Sequence, residues 1–153
     1  MVCLGNICRS PMAEVVARAL VADEGLAAEV SVESFGTAGY HRGERADPRA
    51  RAAVGRRGLS ADGHRARQIA AGDVVVLDLV LCADRSNVRD VRRLAPEHAG
   101  KISLLRSYDP MAFAGDDDVP DPWGGGDRDL DEALALIEAA CRGLVGELAA
   151  ARR

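Results

Sequence analysis

The fourteen residues Met1-Val-Cys-Leu-Gly-Asn-Ile-Cys-Arg-Ser-Pro-Met-Ala-Glu14 constrain this chain more than any other stretch. Met12, Val15, Val16, Ala19 and Leu20 recur at helical spacing. Ser10-Pro11 supplies an N-cap and a first helical residue, where a missing N–H costs nothing. The spacing therefore predicts a helix opening at Ser10, and Cys3 to Arg9 becomes a tight loop feeding its N-terminus. Gly5 permits close backbone approach, and Asn6 tolerates the left-handed conformation such a loop needs. Amide N–H groups and the positive end of the helix dipole converge there, which makes a cradle for an oxyanion. Cys3, at the mouth of that cradle, is favoured as a thiolate, and Arg9 can offer a planar fork to two phosphate oxygens. The plainer reading makes Cys3 a small buried hydrophobe and Cys8 its chance neighbour.

The rest of the chain alternates between strand and helix signals. Gly25 closes the first helix, and Val30 to Phe35 alternates as a strand. A glycine-rich loop runs from Gly36 to Ala46, and Asp47-Pro48 opens a helix through Arg57. Ala61 to Asp73 reads as irregular or weakly helical. The apolar run Val74 to Cys82 should contain a buried parallel strand, placed at Leu79 to Cys82. Asp84 to Leu94 is helical in period, and Lys101 to Leu105 is a strand. A long loop, Arg106 to Gly126, carries Asp116-Asp117-Asp118 and Asp121-Pro122-Trp123. Asp127 to Arg153 is a long amphipathic helix with Leu130, Leu134, Ile137, Leu144, Val145 and Leu148 inward. This order predicts an α/β fold: a three-layer doubly wound sandwich, a central four-stranded parallel sheet flanked by helices, in one domain over residues 1–153. In such folds ligands bind beyond the carboxyl ends of the strands, which is where the Cys3–Arg9 loop falls.

Composition narrows the function classes. With 153 residues and 48% apolar content the chain can bury one sizeable core. Acidic residues outnumber basic ones, 24 to 20, which argues against nucleic-acid binding. Cys3, Cys8, Cys82 and Cys141 are too scattered for a disulfide scaffold. His41, His64 and His98 show no ligand spacing, so a structural metal is not expected. Neither a signal peptide nor a bilayer-spanning run is present, so the expectation is a soluble cytoplasmic protein without a membrane partner.

The run Cys-Leu-Gly-Asn-Ile-Cys-Arg-Ser-Pro closely resembles the phosphate-binding loop of the low-molecular-weight protein tyrosine phosphatases, bacterial type. Asp121-Pro122-Trp123 resembles the family's Asp-Pro-Tyr, although from the residues alone an Asp-Pro pair reads as readily as a turn. Ser34-Phe35-Gly36-Thr37 resembles a Ser-Ala-Gly-Thr segment, and Tyr40 takes the place of a pocket-rim aromatic. Gly63-His64-Arg65-Ala66-Arg67-Gln68 resembles Ser-His-x-Ala-Arg-Gln, though His64 alone would pass for a surface histidine. The resemblance implies hydrolysis of phosphotyrosine in proteins through a cysteinyl-phosphate, with no cofactor and no metal. It makes Cys3 the nucleophile, Arg9 the phosphate clamp, Asp121 the general acid and base, and Ser10 a donor to the sulfur. Leu4, Gly5, Asn6, Ile7 and Cys8 would hold inorganic phosphate or a similar oxyanion, with Tyr40 and Trp123 lining the slot. Asn6, Ser34 and His64 would form a buried supporting network. Cys8 could trap an oxidised Cys3 as a disulfide, the alternative being a loop thiol without redox duty.

Two departures stand out. Gly124-Gly125-Gly126 replaces a further tyrosine, and only Met1-Val2 precede Cys3, so the first strand is expected to be short. Three other readings remain open. A protein arginine phosphatase usually has Thr where Ile7 stands. An arsenate reductase of the same fold needs a second redox cysteine near Cys82. The third is an inactive phosphate-binding module.

Overall fold

The computed structural model describes residues 1–153 and contains four short parallel strands, β1 (Val2–Cys3), β2 (Phe35–Gly36), β3 (Val80–Cys82) and β4 (Ile102–Leu104). Their order in the sheet is β2-β1-β3-β4. β1 is therefore central, with Val2 opposite Phe35 on one side and Cys82 on the other. Parallel neighbours need long crossovers, and four helices lie in them: α1 (Arg9–Asp23), α2 (Pro48–Gly55), α3 (Ala71–Val76) and α4 (Arg85–Leu94); a fifth, α5 (Asp127–Arg152), follows the last strand.

Strand alternation divides the core in two. Cys3 and Leu81 face the layer of α1, α2 and α5, packed with Met12, Val16, Val54, Leu134 and Ile137. Val2, Val80, Cys82 and Ile102 face the other layer, with Val74, Val88 and Val91. The α/β sandwich expected from the sequence is what forms, and its largest helix contact is α1 on α5.

Three local expectations are corrected. The helix α1 begins at Arg9 with Cys8 as its cap and no side-chain capping bond, so Ser10 is not the N-cap. Its hydroxyl is instead taken by the Cys3 sulfur at 3.0 Å and the Phe35 carbonyl at 3.2 Å. Val30 to Phe35 becomes a strand only at its end. Val2 of β1 lies opposite Phe35, Phe35 N donates to the Met1 carbonyl and the Glu33 carbonyl accepts from the Met1 amino group, while residues 30–32 enter no ladder. Val30 and Val32 still turn inward, half-buried against the cluster of Val21, Leu26 and Val145, so the period of two is met by packing without a ladder. The apolar run from Val74 divides into the end of α3 and the strand Val80–Cys82, leaving Val75 and Val76 exposed.

Candidate active site

Cys3 is the last residue of the central strand, and the chain leaves the sheet there for the loop that enters α1. The loop turns at Asn6, whose φ of 57° is the one left-handed non-glycine conformation in the chain. Five of its carbonyls are engaged by donors elsewhere in the chain. Those of Cys3 and Leu4 accept from Thr37 N and Ala38 N, that of Ile7 from Asp47 N, and that of Cys8 from Met12 N. The Asn6 carbonyl accepts from His64 Nε2 at 2.7 Å, so the ring proton sits on that nitrogen. The amides of Gly5, Ile7 and Cys8 meet no acceptor within the chain, while Asn6 N donates to Cys3 Sγ at 3.3 Å. Carbonyls engaged and amides unspent is the polarity that an anion requires.

A cavity of about 360 Å³ opens over this loop, lined by Cys3, Leu4, Gly5, Ile7, Cys8, Arg9, Tyr40, His41, Asp121 and Trp123. The loop, Tyr40 and the Asp121–Trp123 segment lie from about 30 to about 120 residues apart in sequence, and the fold brings them to one opening. Arg9 is 3% exposed, and its Nη2 lies 3.3 Å from Asp121 Oδ2. Asp121 also accepts from Trp123 N at 3.1 Å, a local turn that the Asp-Pro pair makes natural. Tyr40 and Trp123 are exposed at the rim.

Beneath the loop lies a buried polar network. Asn6 Nδ2 donates to Ser10 Oγ at 2.8 Å and to Ser34 Oγ at 3.0 Å, and Asn6 Oδ1 accepts from Arg67 N at 2.9 Å. Ser34 in turn donates to Glu14. Burial lowers the His64 pKa below its ordinary value, which its bond to Asn6 and the nearby Glu14 only partly oppose. Burial pushes the Cys8 thiol up to about 12, reinforced by the charges of Asp47, Cys3 and Asp121.

Several residues of this site escaped the sequence reading. Asp84 Oδ2 accepts from Arg9 Nη1 at 2.7 Å, and the Val119 carbonyl accepts from the same nitrogen at 3.0 Å. Asp84 lies two residues past the end of β3, and a polar residue just beyond the carboxyl end of a strand neighbouring β1 was the available signal. Glu14 stands four residues after Ser10 on one helix face, a spacing that places it under the loop. His41, which with Tyr40 stands where the family resemblance puts a pocket-rim aromatic but was given no role, lines the cavity beside Tyr40, edge to face, with Glu44 2.8 Å from its Nδ1.

A parallel α/β sheet whose central strand ends in a cysteine, over a loop of unspent amides and one buried arginine, defines a protein built to hold a tetrahedral oxyanion. The model of the family described as low molecular weight phosphotyrosine protein phosphatase matches residues 1–153. A low molecular weight protein-tyrosine-phosphatase of Streptomyces coelicolor is 51% identical over 146 residues, covering 94% of this chain and 88% of that one. Among solved structures, a protein tyrosine phosphatase from Entamoeba histolytica with Hepes in its active site superposes with TM-score 0.92 at 30% identity, over 99% of this chain and 96% of that one. The tyrosine phosphatase Wzb from Escherichia coli K30, in complex with sulphate, superposes with TM-score 0.83 at 28% identity, over 96% and 94%. The chain belongs to the low molecular weight protein tyrosine phosphatase family, and it is a phosphatase enzyme.

Proposed function

We propose that the chain hydrolyses phosphotyrosine in proteins by two in-line transfers at Cys3. The observation that carries this reading is the juxtaposition in one cavity of the Cys3 sulfur, the unspent loop amides, Arg9 and Asp121. The Cys3 thiolate attacks phosphorus while the loop amides and Arg9 hold the three equatorial oxygens, whose charge they stabilise without reorganising. Asp84 and the Val119 carbonyl occupy one end of the guanidinium and leave the other facing the cavity. Asp121 gives its proton to the departing phenolic oxygen, and the phosphoryl group stays on sulfur. Asp121, then a carboxylate, takes a proton from water as that water attacks, releasing inorganic phosphate and the thiolate. Ser10 donates to the sulfur in this second step and makes it a better leaving group. The sulphate held by the Escherichia coli relative supports an oxyanion in the loop.

Tyr40 and Trp123 flank the mouth, with Leu4 and Ile7 apolar between rim and floor, so a phenyl ring fits where a short alkyl phosphate would not reach the sulfur. The same apolar wall disfavours phosphoarginine. Cys3→Ser should abolish turnover of p-nitrophenyl phosphate while phosphate still raises the melting temperature; undiminished turnover removes Cys3 as nucleophile. Comparing phosphate release from phosphotyrosine and phosphoarginine peptides tests the substrate class.

A further inference from the structure

The segment that carries Asp121 has almost no apolar anchorage. Between Pro110 and Gly126 no helix or strand forms, and Met111, Phe113 and Trp123 are exposed, while Val119 is buried. What holds the segment is a second buried arginine outside the cavity. Arg106, 4% exposed, lies in the 3-10 turn Leu105–Tyr108 that follows β4. Its Nη1 donates to the carbonyls of Asp116 at 2.7 Å and Asp118 at 3.1 Å. Its Nε and Nη2 each lie 3.2 Å from Asp109 Oδ2, and the other oxygen of Asp109, itself 6% exposed, accepts from Met111 N.

The opposite side of the segment is held by Arg85, which engages the carboxylates of Asp117 and Asp118. The acidic triplet is thus gripped by its carbonyls from within and by its carboxylates from without. Next along the chain, Val119 N donates to the Ala83 carbonyl at 2.7 Å and the Val119 carbonyl accepts from Arg9. Only Pro120 separates this clamp from Asp121, and Pro122 follows. Pro120 fixes its own φ and Pro122 holds the Asp121 backbone to the extended region, which narrows where Asp121 can lie once residues 116–119 are placed.

We propose that Arg106, with Asp109 as its buried counter-ion, is a positioning residue that sets Asp121 over the sulfur. This rests on the reading of Asp121 as the general acid. A positioned acid is worth about 10²–10⁴-fold, and a misplacement of about 1 Å removes much of that. An arginine that merely stabilised the fold would lower turnover of all substrates alike.

The test is kcat/KM over a series of aryl phosphates, from p-nitrophenyl phosphate to unsubstituted phenyl phosphate. That parameter reports every step through departure of the phenol. Arg106→Lys keeps a charge beside Asp109 but cannot span both carbonyls; Arg106→Met with Asp109→Asn removes the pair without stranding a buried charge. Each should lose at least about tenfold more on phenyl phosphate than on p-nitrophenyl phosphate, because only the poor leaving group needs the proton. In an Asp121→Ala background neither should add leaving-group-dependent loss. Equal losses on both substrates, or the same extra loss without Asp121, would overturn the proposal. Should the double variant not fold, Arg106→Lys alone decides. If Asp121→Ala itself leaves the leaving-group dependence unchanged, the acid assignment fails, and Arg106 is then not at issue.

Discussion

Asn6 is where the loop is most exposed to a single substitution. Asn6→Ala removes three side-chain hydrogen bonds, to Ser10, Ser34 and the Arg67 amide, all within the buried network. Each is worth about 1 kcal/mol net, so their loss is about 3 kcal/mol. Holding alanine at a φ of 57° adds about 1 kcal/mol, since asparagine tolerates that conformation and alanine does not. The sum, about 4 kcal/mol, is a large share of the 5–15 kcal/mol typical of a domain, and corresponds to a melting temperature lower by about 10 °C. Asn6→Gly relieves the backbone but loses the same bonds, so it should remain destabilised by about 3 kcal/mol. Urea unfolding of the three proteins, each with and without inorganic phosphate, reads these numbers, and phosphate should stabilise both variants less than the parent. A loss below about 1 kcal/mol for Asn6→Ala would refute the network as the support of the loop. Recovery of full stability in Asn6→Gly would assign the whole effect to backbone conformation instead.

Other outcomes follow from the same structure. Iodoacetate near neutral pH should label one thiol, Cys3, which lines the cavity with the Asn6 amide donating to its sulfur, while burial pushes Cys8 (on the same cavity), Cys82 and Cys141 up to about 12 and keeps them protonated; first labelling at Cys8 on peptide mapping would contradict this. Phosphate should protect Cys3. His64 is held below its ordinary pKa of 6.5 by burial, so its contribution is present above that pH and is lost as pH falls through it toward the folded-state value. Unfolding curves across that window should fall less steeply for His64→Gln, and identical pH slopes would count against it. Gly143 in α5 has no room for a side chain, since a Cβ there would lie 1.8 Å from the Tyr108 carbonyl; Gly146, one turn on, faces open space. Gly143→Ala should lose about 1–3 kcal/mol and Gly146→Ala gain about 0.5–1 kcal/mol by thermal unfolding, and equal effects would be inconsistent with that packing.

The parts legible in the sequence were those written in local patterns. The Cys3–Arg9 loop could be read because a strand end, a left-handed asparagine and a helix start follow one another within ten residues. α5 could be read because its apolar period runs from Leu130 to Leu148, about five turns; Asp121 could be read only through the family resemblance of Asp121-Pro122-Trp123, since by itself an Asp-Pro pair is equally a turn. The boundaries that went astray are those where a neighbour overruled a local preference. Ser10 has the chemistry of a helix cap, but the sulfur seven residues before it takes the hydroxyl. Val30 to Ser34 has the alternation of a strand, but Val30 and Val32 pack against Val21, Leu26 and Val145 and the ladder with β1 begins only at Phe35.

By itself, then, the sequence determined the kind of loop, the reactive groups on it and the order of strands and helices, since these depend on residues within a few positions of each other. Only the tertiary structure decided which groups hold the reactive ones still. Asp84 on Arg9, Glu14 beneath Ser34, and Arg106 behind the Asp121 segment join chain positions from 10 to 75 apart. A hydrogen bond depends on separation in space, and distance along the chain carries that information only inside a helix, a strand or a tight turn.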